Sequence, residues 1–233
     1  MRPSIIAHRG ASREYRENTL PAFERALELG AEGIELDVHA TSDGVVVVHH
    51  DPAVRLAVGA GAGETRAIAE LTMRELTSFS ERDSERAPSL EEVLSLVGAR
   101  ADVYVELKGA GIEHSVVEVI QESSARHRCA IHSFDHVAVL RSRKAAPNIF
   151  GGILLASRLA DPAGALRAAA ARDYWIHWPW ADAQLVDSIH SAGGRVIAWT
   201  PPDEYSFRML AALGVDGICA DDVRALRLSL EDA

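Results

Sequence analysis

The chain has little sulfur, almost no lysine and no long apolar run. Cys129 and Cys219 are its only cysteines, which excludes a disulfide framework and a cysteine-rich zinc site. Both sit in apolar surroundings and read as buried free thiols. No stretch reaches the ~18 consecutive apolar residues of a membrane span. The N-terminus enters a strand-like run at once, without the basic start and apolar core of a signal peptide, so the expected compartment is the cytoplasm. Positive charge is in deficit: 24 Lys and Arg against 34 Asp and Glu leave a formal net charge of -10. That field argues against nucleic acid and against stable insertion in an anionic membrane. Any phosphate must then be held by local cations. Lysine occurs only at 108 and 144, so a lysine at a strand end suggests a phosphate or alkoxide contact.

The 233 residues are 48% hydrophobic and 25% charged, the make-up of an ordinary globular protein. That length fits one domain over residues 1–233 and is compatible with a homodimer. Strand-like and helix-like segments alternate. Leu20, Phe23, Ala26 and Leu27 recur at helical spacing after Asn18-Thr19 and before Gly30. Ser89 with Glu92 forms a capping-box pattern. Further helices are expected at 112–124, 135–146, 161–172, 183–192, 203–213 and 221–230, with short apolar runs between them. About eight strand–helix units in one chain predict a parallel sheet closed as an α/β (β/α)8 TIM barrel. No Gly-rich fingerprint follows the first strand, which weighs against a dinucleotide fold. The segment 52–88, with glycines at 59, 61 and 63, interrupts the rhythm and reads as an insertion after the second barrel strand.

Several apolar runs stop on ionisable groups: at His8-Arg9-Gly10, Glu35-Leu36-Asp37, His49-His50-Asp51 and Glu106-Leu107-Lys108. Side chains alternate along a strand, so Glu35 and Asp37 share a face, as do Glu106 and Lys108. At a barrel's C-terminal rim these groups would meet. Glu35, Asp37 and Glu106 form an all-oxygen set suited to Mg²⁺ or Ca²⁺. The same carboxylates could equally pair with Arg9 and Lys108 as a structural network. His8 and His50 offer a general acid and a general base near neutral pH. His49 should face away from His50. His132 and His177 lie near strand ends as weaker candidates, while His39, His114, His127, His136 and His190 read as surface or helix residues. Trp199 closes a strand and either walls a pocket for a small polyol or packs in the core.

The combination resembles the glycerophosphodiester phosphodiesterase family. Its N-terminal signature is matched by His8-Arg9-Gly10, Glu17-Asn18-Thr19, Glu35-Leu36-Asp37-Val38, Asp43-Gly44 and His50-Asp51. Later blocks follow in order at 87–96, 103–109, His132-Ser133-Phe134, 196–200 and 214–222. The resemblance spans nearly the whole chain. It implies a metal-dependent hydrolysis of glycerophosphodiesters to sn-glycerol 3-phosphate and an alcohol. His8 and His50 would be acid and base, and Glu35, Asp37 and Glu106 would hold one divalent cation. Arg9 and Lys108 would hold phosphate. In such enzymes the substrate's glycerol 2-hydroxyl would attack first, giving a cyclic phosphate that water opens. Arg16, 53–58, Pro201-Pro202 and Ala220 depart from the family pattern; the departures near 52 and 201 bear on the alcohol moiety and the pocket rim. Two other readings keep the barrel: a lysophospholipase D-like or phosphoinositide phospholipase-like enzyme, and a non-catalytic phosphodiester-binding barrel.

Overall fold

The computed structural model of the chain describes residues 2–55, 63–78 and 86–231. Eleven strands are present among them: β1 Ser4–His8, β2 Gly33–Ala40, β3 Val46–Val48, β4 Ala53–Arg55, β5 Thr65–Ala67, β6 Asp102–Leu107, β7 Cys129–Ser133, β8 Phe150–Leu155, β9 Asp173–His177, β10 Arg195–Trp199 and β11 Gly217–Ala220. The helices are α1 Leu20–Glu28, α2 Met73–Ser78, α3 Leu90–Val97, α4 Glu113–Glu122, α5 His136–Ala145, α6 Pro162–Ala168, α7 Ala183–Ser191, α8 Glu204–Leu213 and α9 Val223–Glu231. Eight parallel strands close a barrel in the order β1-β2-β6-β7-β8-β9-β10-β11, and β1 pairs with both β2 and β11. This is the expected (β/α)8 barrel. No helix among the described residues is long and apolar enough to cross a membrane.

The helices begin where short polar side chains can satisfy free backbone N–H groups. Asp135, Asp161, Asp182 and Asp203 each accept from the first turn of α5, α6, α7 and α8. Ser89 and Glu92 form the expected capping box at α3. One helix, α6, falls well short of the expected 161–172. α6 stops at Ala168 because Ala170 takes a left-handed backbone (φ 49) and the Ala171 N–H turns back to the Leu166 carbonyl. Glycine normally marks such a stop; alanine there gives no warning in the sequence.

The apolar run ending in His49-His50 is not a barrel strand. Its central part, β3, pairs antiparallel with the end of β2, with Val38 opposite Val48 and Ala40 opposite Val46. β2 therefore overshoots the barrel, turns, and returns, which carries His50 back to the rim. Beyond it come a small β4–β5 hairpin and α2, between the second and third barrel strands. Residues 56–62 and 79–85, which hold most of the Gly/Ala-rich run and of the polar run 81–86 in the insertion, lie outside the described residues.

Side chains inside the barrel are arranged along its axis by chemistry. At the N-terminal end, buried Asp173 accepts two hydrogen bonds from Arg172, with Arg195 3.8 Å away. The middle is apolar: Ile6, Tyr104, Ala130, Leu154, Trp175, Ile197 and Cys219. Tyr104 meets Trp175 edge-on at 5.2 Å, and Trp175 stacks flat on His132 at 4.4 Å. Room for the indole comes from Gly152, where a Cβ would lie 2.9 Å from Trp175 Nε1 and 3.1 Å from His132 Cβ. Cys129 and Cys219 are buried free thiols. Gly152→Ala should overpack this column and destabilise the protein by about 1–3 kcal/mol, read as a lower urea midpoint at unchanged slope.

Candidate active site

The rim is assembled around turns that only certain residues can make. After His8, Arg9 (φ 58) and Gly10 (φ 85) are both left-handed. A Cβ on Gly10 would lie 2.7 Å from the Ala22 backbone, so only glycine fits. This turn sends Arg9 across β2, where its N–H donates to the Glu35 carbonyl at 3.0 Å. Its Nε then pairs with Asp37 Oδ2 at 3.0 Å and its Nη1 with Glu17 at 3.0 Å. Asn18 is also left-handed (φ 56) and donates from Nδ2 to Asp37 Oδ2 at 2.8 Å. Lys108 lies 3.5 Å from Asp37 Oδ1 and 3.1 Å from Glu106 Oε1.

Seven of the eight sequence-predicted residues line one cavity of about 170 Å³: His8, Arg9, Glu35, His50, Glu106, Lys108 and Trp199. Asp37 is buried behind them, orienting the two cations. His49 is not among the lining residues; its N–H donates to the Asp37 carbonyl. His50 joins Asp51 through Nδ1 at 2.8 Å, and His8 joins Asp221 through Nδ1 at 2.6 Å. Each imidazole thus has Nε2 free of its carboxylate. Trp199 is half-buried, edge-on to Phe134 at 5.7 Å and tilted to His177 at 5.2 Å.

Three supporting residues escape a reading of spacing. The expected helix start at Asp221 divides into two jobs: Asp222 caps α9 through the Ala225 N–H, and Asp221 holds His8. The rule that an apolar run ending on a charge reaches the rim would have found Asp221. Asn18 reads as a helix-start signal, and its side chain reaches Asp37 only because of its left-handed backbone. His39, expected at the surface, is buried on β2 and bonds the His50 carbonyl at 3.1 Å, since β3 folds over it.

The electrostatics follow from burial. Glu35 is pushed up to about 7 by burial and then by the neighbouring Asp37 charge. Burial likewise lifts Glu106 to about 7. Asp37 goes the other way: burial opposes its charge, but Arg9, Asn18 and Lys108 overcome it and hold the pKa below the ordinary value. Burial also disfavours charged His8, yet the Asp221 hydrogen bond and the Glu35 charge outweigh it and raise its pKa. Burial drives His132 down to about 4, so its ring is neutral.

The donor set fits a divalent cation. Glu35, Glu106 and His132 each bring a ligand atom within 4.8 Å of the others. Asp37 Oδ1 is buried without a hydrogen-bond partner, as are both His132 ring nitrogens. Such atoms destabilise a fold by about 1–3 kcal/mol each unless something binds them.

A closed barrel with carboxylates, imidazoles and cations around a cavity at its C-terminal rim has the arrangement of a barrel enzyme. The sequence profile of the glycerophosphoryl diester phosphodiesterase family matches residues 8–225. The chain belongs to that family. It is 36% identical to a glycerophosphodiester phosphodiesterase of Caldanaerobacter subterraneus subsp. tengcongensis, covering 97% of both chains. It is 32% identical to one from Bacillus altitudinis, over 93% of this chain and 94% of that one. Among solved structures, it matches an Oleispira antarctica phosphodiesterase in complex with its product sn-glycerol-3-phosphate with TM-score 0.86 and 25% identity, covering 99% and 97% of the two chains. A Thermotoga maritima glycerophosphodiester phosphodiesterase matches with TM-score 0.83 and 25% identity, covering 99% of each.

Two outcomes follow from the charges. Glu35 and Glu106 keep their protons to about 7 in the folded chain, against an ordinary 4.5. The folded state therefore binds more protons than the unfolded one over that interval. Their contribution to stability is full below the unfolded pKa and is lost as pH rises through the folded one. The melting temperature of chelator-treated protein should fall by several degrees from pH 5 to 8, and Glu35→Gln should flatten the fall; a rise would contradict the assignment. Asp221→Asn removes the contact that offsets burial at His8, so the imidazole pKa, followed by NMR, should drop below 6.5.

Proposed function

We propose that the protein hydrolyses glycerophosphodiesters to sn-glycerol 3-phosphate and an alcohol, using His8 and His50 as acid and base. The observation that carries this reading is the convergence of both imidazoles, two cations and two carboxylates on one cavity, with a third carboxylate behind them. The family supports the same chemistry.

The diester's phosphate would enter between Arg9 and Lys108. Their orientation is preset by Asp37, so little side-chain freedom is lost on binding. One imidazole takes the proton of the glycerol 2-hydroxyl as its oxygen bonds to phosphorus. The other donates a proton to the departing alcohol oxygen. Water then opens the cyclic phosphate with the two roles exchanged. Asp221 and Asp51 fix the ring orientations and stabilise whichever imidazole is protonated. Glu35, Asp37 and Glu106 would hold one divalent cation, which supplies positive charge to the reacting oxygens and lowers the hydroxyl pKa. Phe134 and Trp199 stand at the mouth, where the alcohol moiety would rest.

Incubation with glycerophosphocholine, glycerophosphoethanolamine and glycerophosphoglycerol, coupled to glycerol-3-phosphate detection, tests the reading. Turnover should stop with chelator and return with added divalent ion. No release from any of the three diesters would refute it. His8→Ala and His50→Ala should each lower kcat by roughly 10²-fold or more, with folding checked by circular dichroism. A variant with near-native turnover would remove that residue from proton transfer.

A further inference from the structure

His132 is not needed by the chemistry above, yet it is buried against the cavity. Its side chain is 1% exposed and neither ring nitrogen has a hydrogen-bond partner. A histidine kept for packing alone ordinarily bonds at least one nitrogen, because an orphaned buried polar atom destabilises the fold. The ring cannot rotate toward another partner easily: it lies flat on Trp175, 4.4 Å away and 5° from parallel. On its β8 side, the residue beside its Cβ is Gly152. The stack leaves Nε2 3.5 Å from Glu35 Oε1. Two ligand atoms sharing one ion at about 2.1 Å each stand at about that separation.

We propose that His132 Nε2 is a ligand to the divalent ion of this site, adding nitrogen to its carboxylate oxygens and making the site favour Mn²⁺ and Co²⁺ over Ca²⁺. The inference rests on the reading that a divalent ion occupies the rim. Ca²⁺ takes oxygen ligands at longer distances, whereas the affinity of a mixed nitrogen–oxygen site for first-row divalent ions rises from Mn²⁺ toward Co²⁺. Burial beside Trp175 presets the imidazole, so this nitrogen is offered without reorganisation.

Electron spin-echo spectroscopy of Mn²⁺ added to the full chain tests this without a substrate. The native spectrum should carry the nitrogen coupling of a directly bound imidazole. His132→Gln should still bind Mn²⁺ but lose that coupling. Calorimetry should show the ratio of Mn²⁺ to Ca²⁺ affinity falling at least tenfold in the same variant. Mn²⁺ bound to native protein with no imidazole coupling overturns the inference while leaving the metal reading intact. A coupling that persists in folded His132→Gln, or an unchanged affinity ratio, overturns it as well. No Mn²⁺ binding to native protein overturns both. His132→Asn serves as a second variant if His132→Gln does not fold, and a native spectrum without the coupling overturns the inference on its own.

Discussion

The rim is organised around a single buried charge, the carboxylate of Asp37. Taken out of water, it is tolerable only because Arg9, Asn18 and Lys108 surround it. Those partners come from three separate segments of the chain. Each reaches Asp37 through a local constraint: a left-handed turn at Arg9, another at Asn18, and the alternation of β6 at Lys108. The carboxylate thereby fastens the β1 loop, the approach to α1 and the end of β6 to β2. It also aims two cations at the cavity and fixes them before a ligand arrives. Left-handed non-glycine backbone is strained, and here the strain is balanced by contacts on one buried group.

The two glutamates in front of Asp37 are in a different condition. Neither Glu35 nor Glu106 has enough positive charge beside it to offset burial, so both hold protons to about 7. Asp37 absorbs much of the available positive charge and leaves its neighbours short of it. A divalent ion would reverse this by supplying the missing charge to the carboxylates and a partner to the orphaned oxygen and nitrogens. The apolar layer around Tyr104 and Trp175 beneath them keeps the local dielectric low and strengthens every interaction above it.

Much of this was legible in the chain because barrel strands leave simple traces. A fully buried strand reads as an apolar run, its C-terminal end reads as the first charge after it, and alternation places residues two apart on one face. That logic brings His8, Glu35, Asp37, Glu106 and Lys108 to one rim. It fails where the backbone does something that residue type does not announce. Ala170 ends α6 in a conformation usually reserved for glycine. Val46–Val48 looks like a further barrel strand because its pattern is the same whether it runs parallel or antiparallel to its neighbour. His39 looks like a surface histidine because the strand that covers it lies several residues further on.

Residue types and their order along the chain settled the fold class, the rim and its chemical inventory, since burial and alternation are local consequences of sequence. Partnership was decided only in three dimensions. Asp221 and Asp222 are indistinguishable as letters, yet one caps a helix and the other grips His8, because closure of the barrel brings β11 beside β1. Asp37 and Glu35 sit two residues apart on one strand, yet one is charged and the other shares its site with a proton. The difference is the cations that long-range turns deliver to one and not to the other.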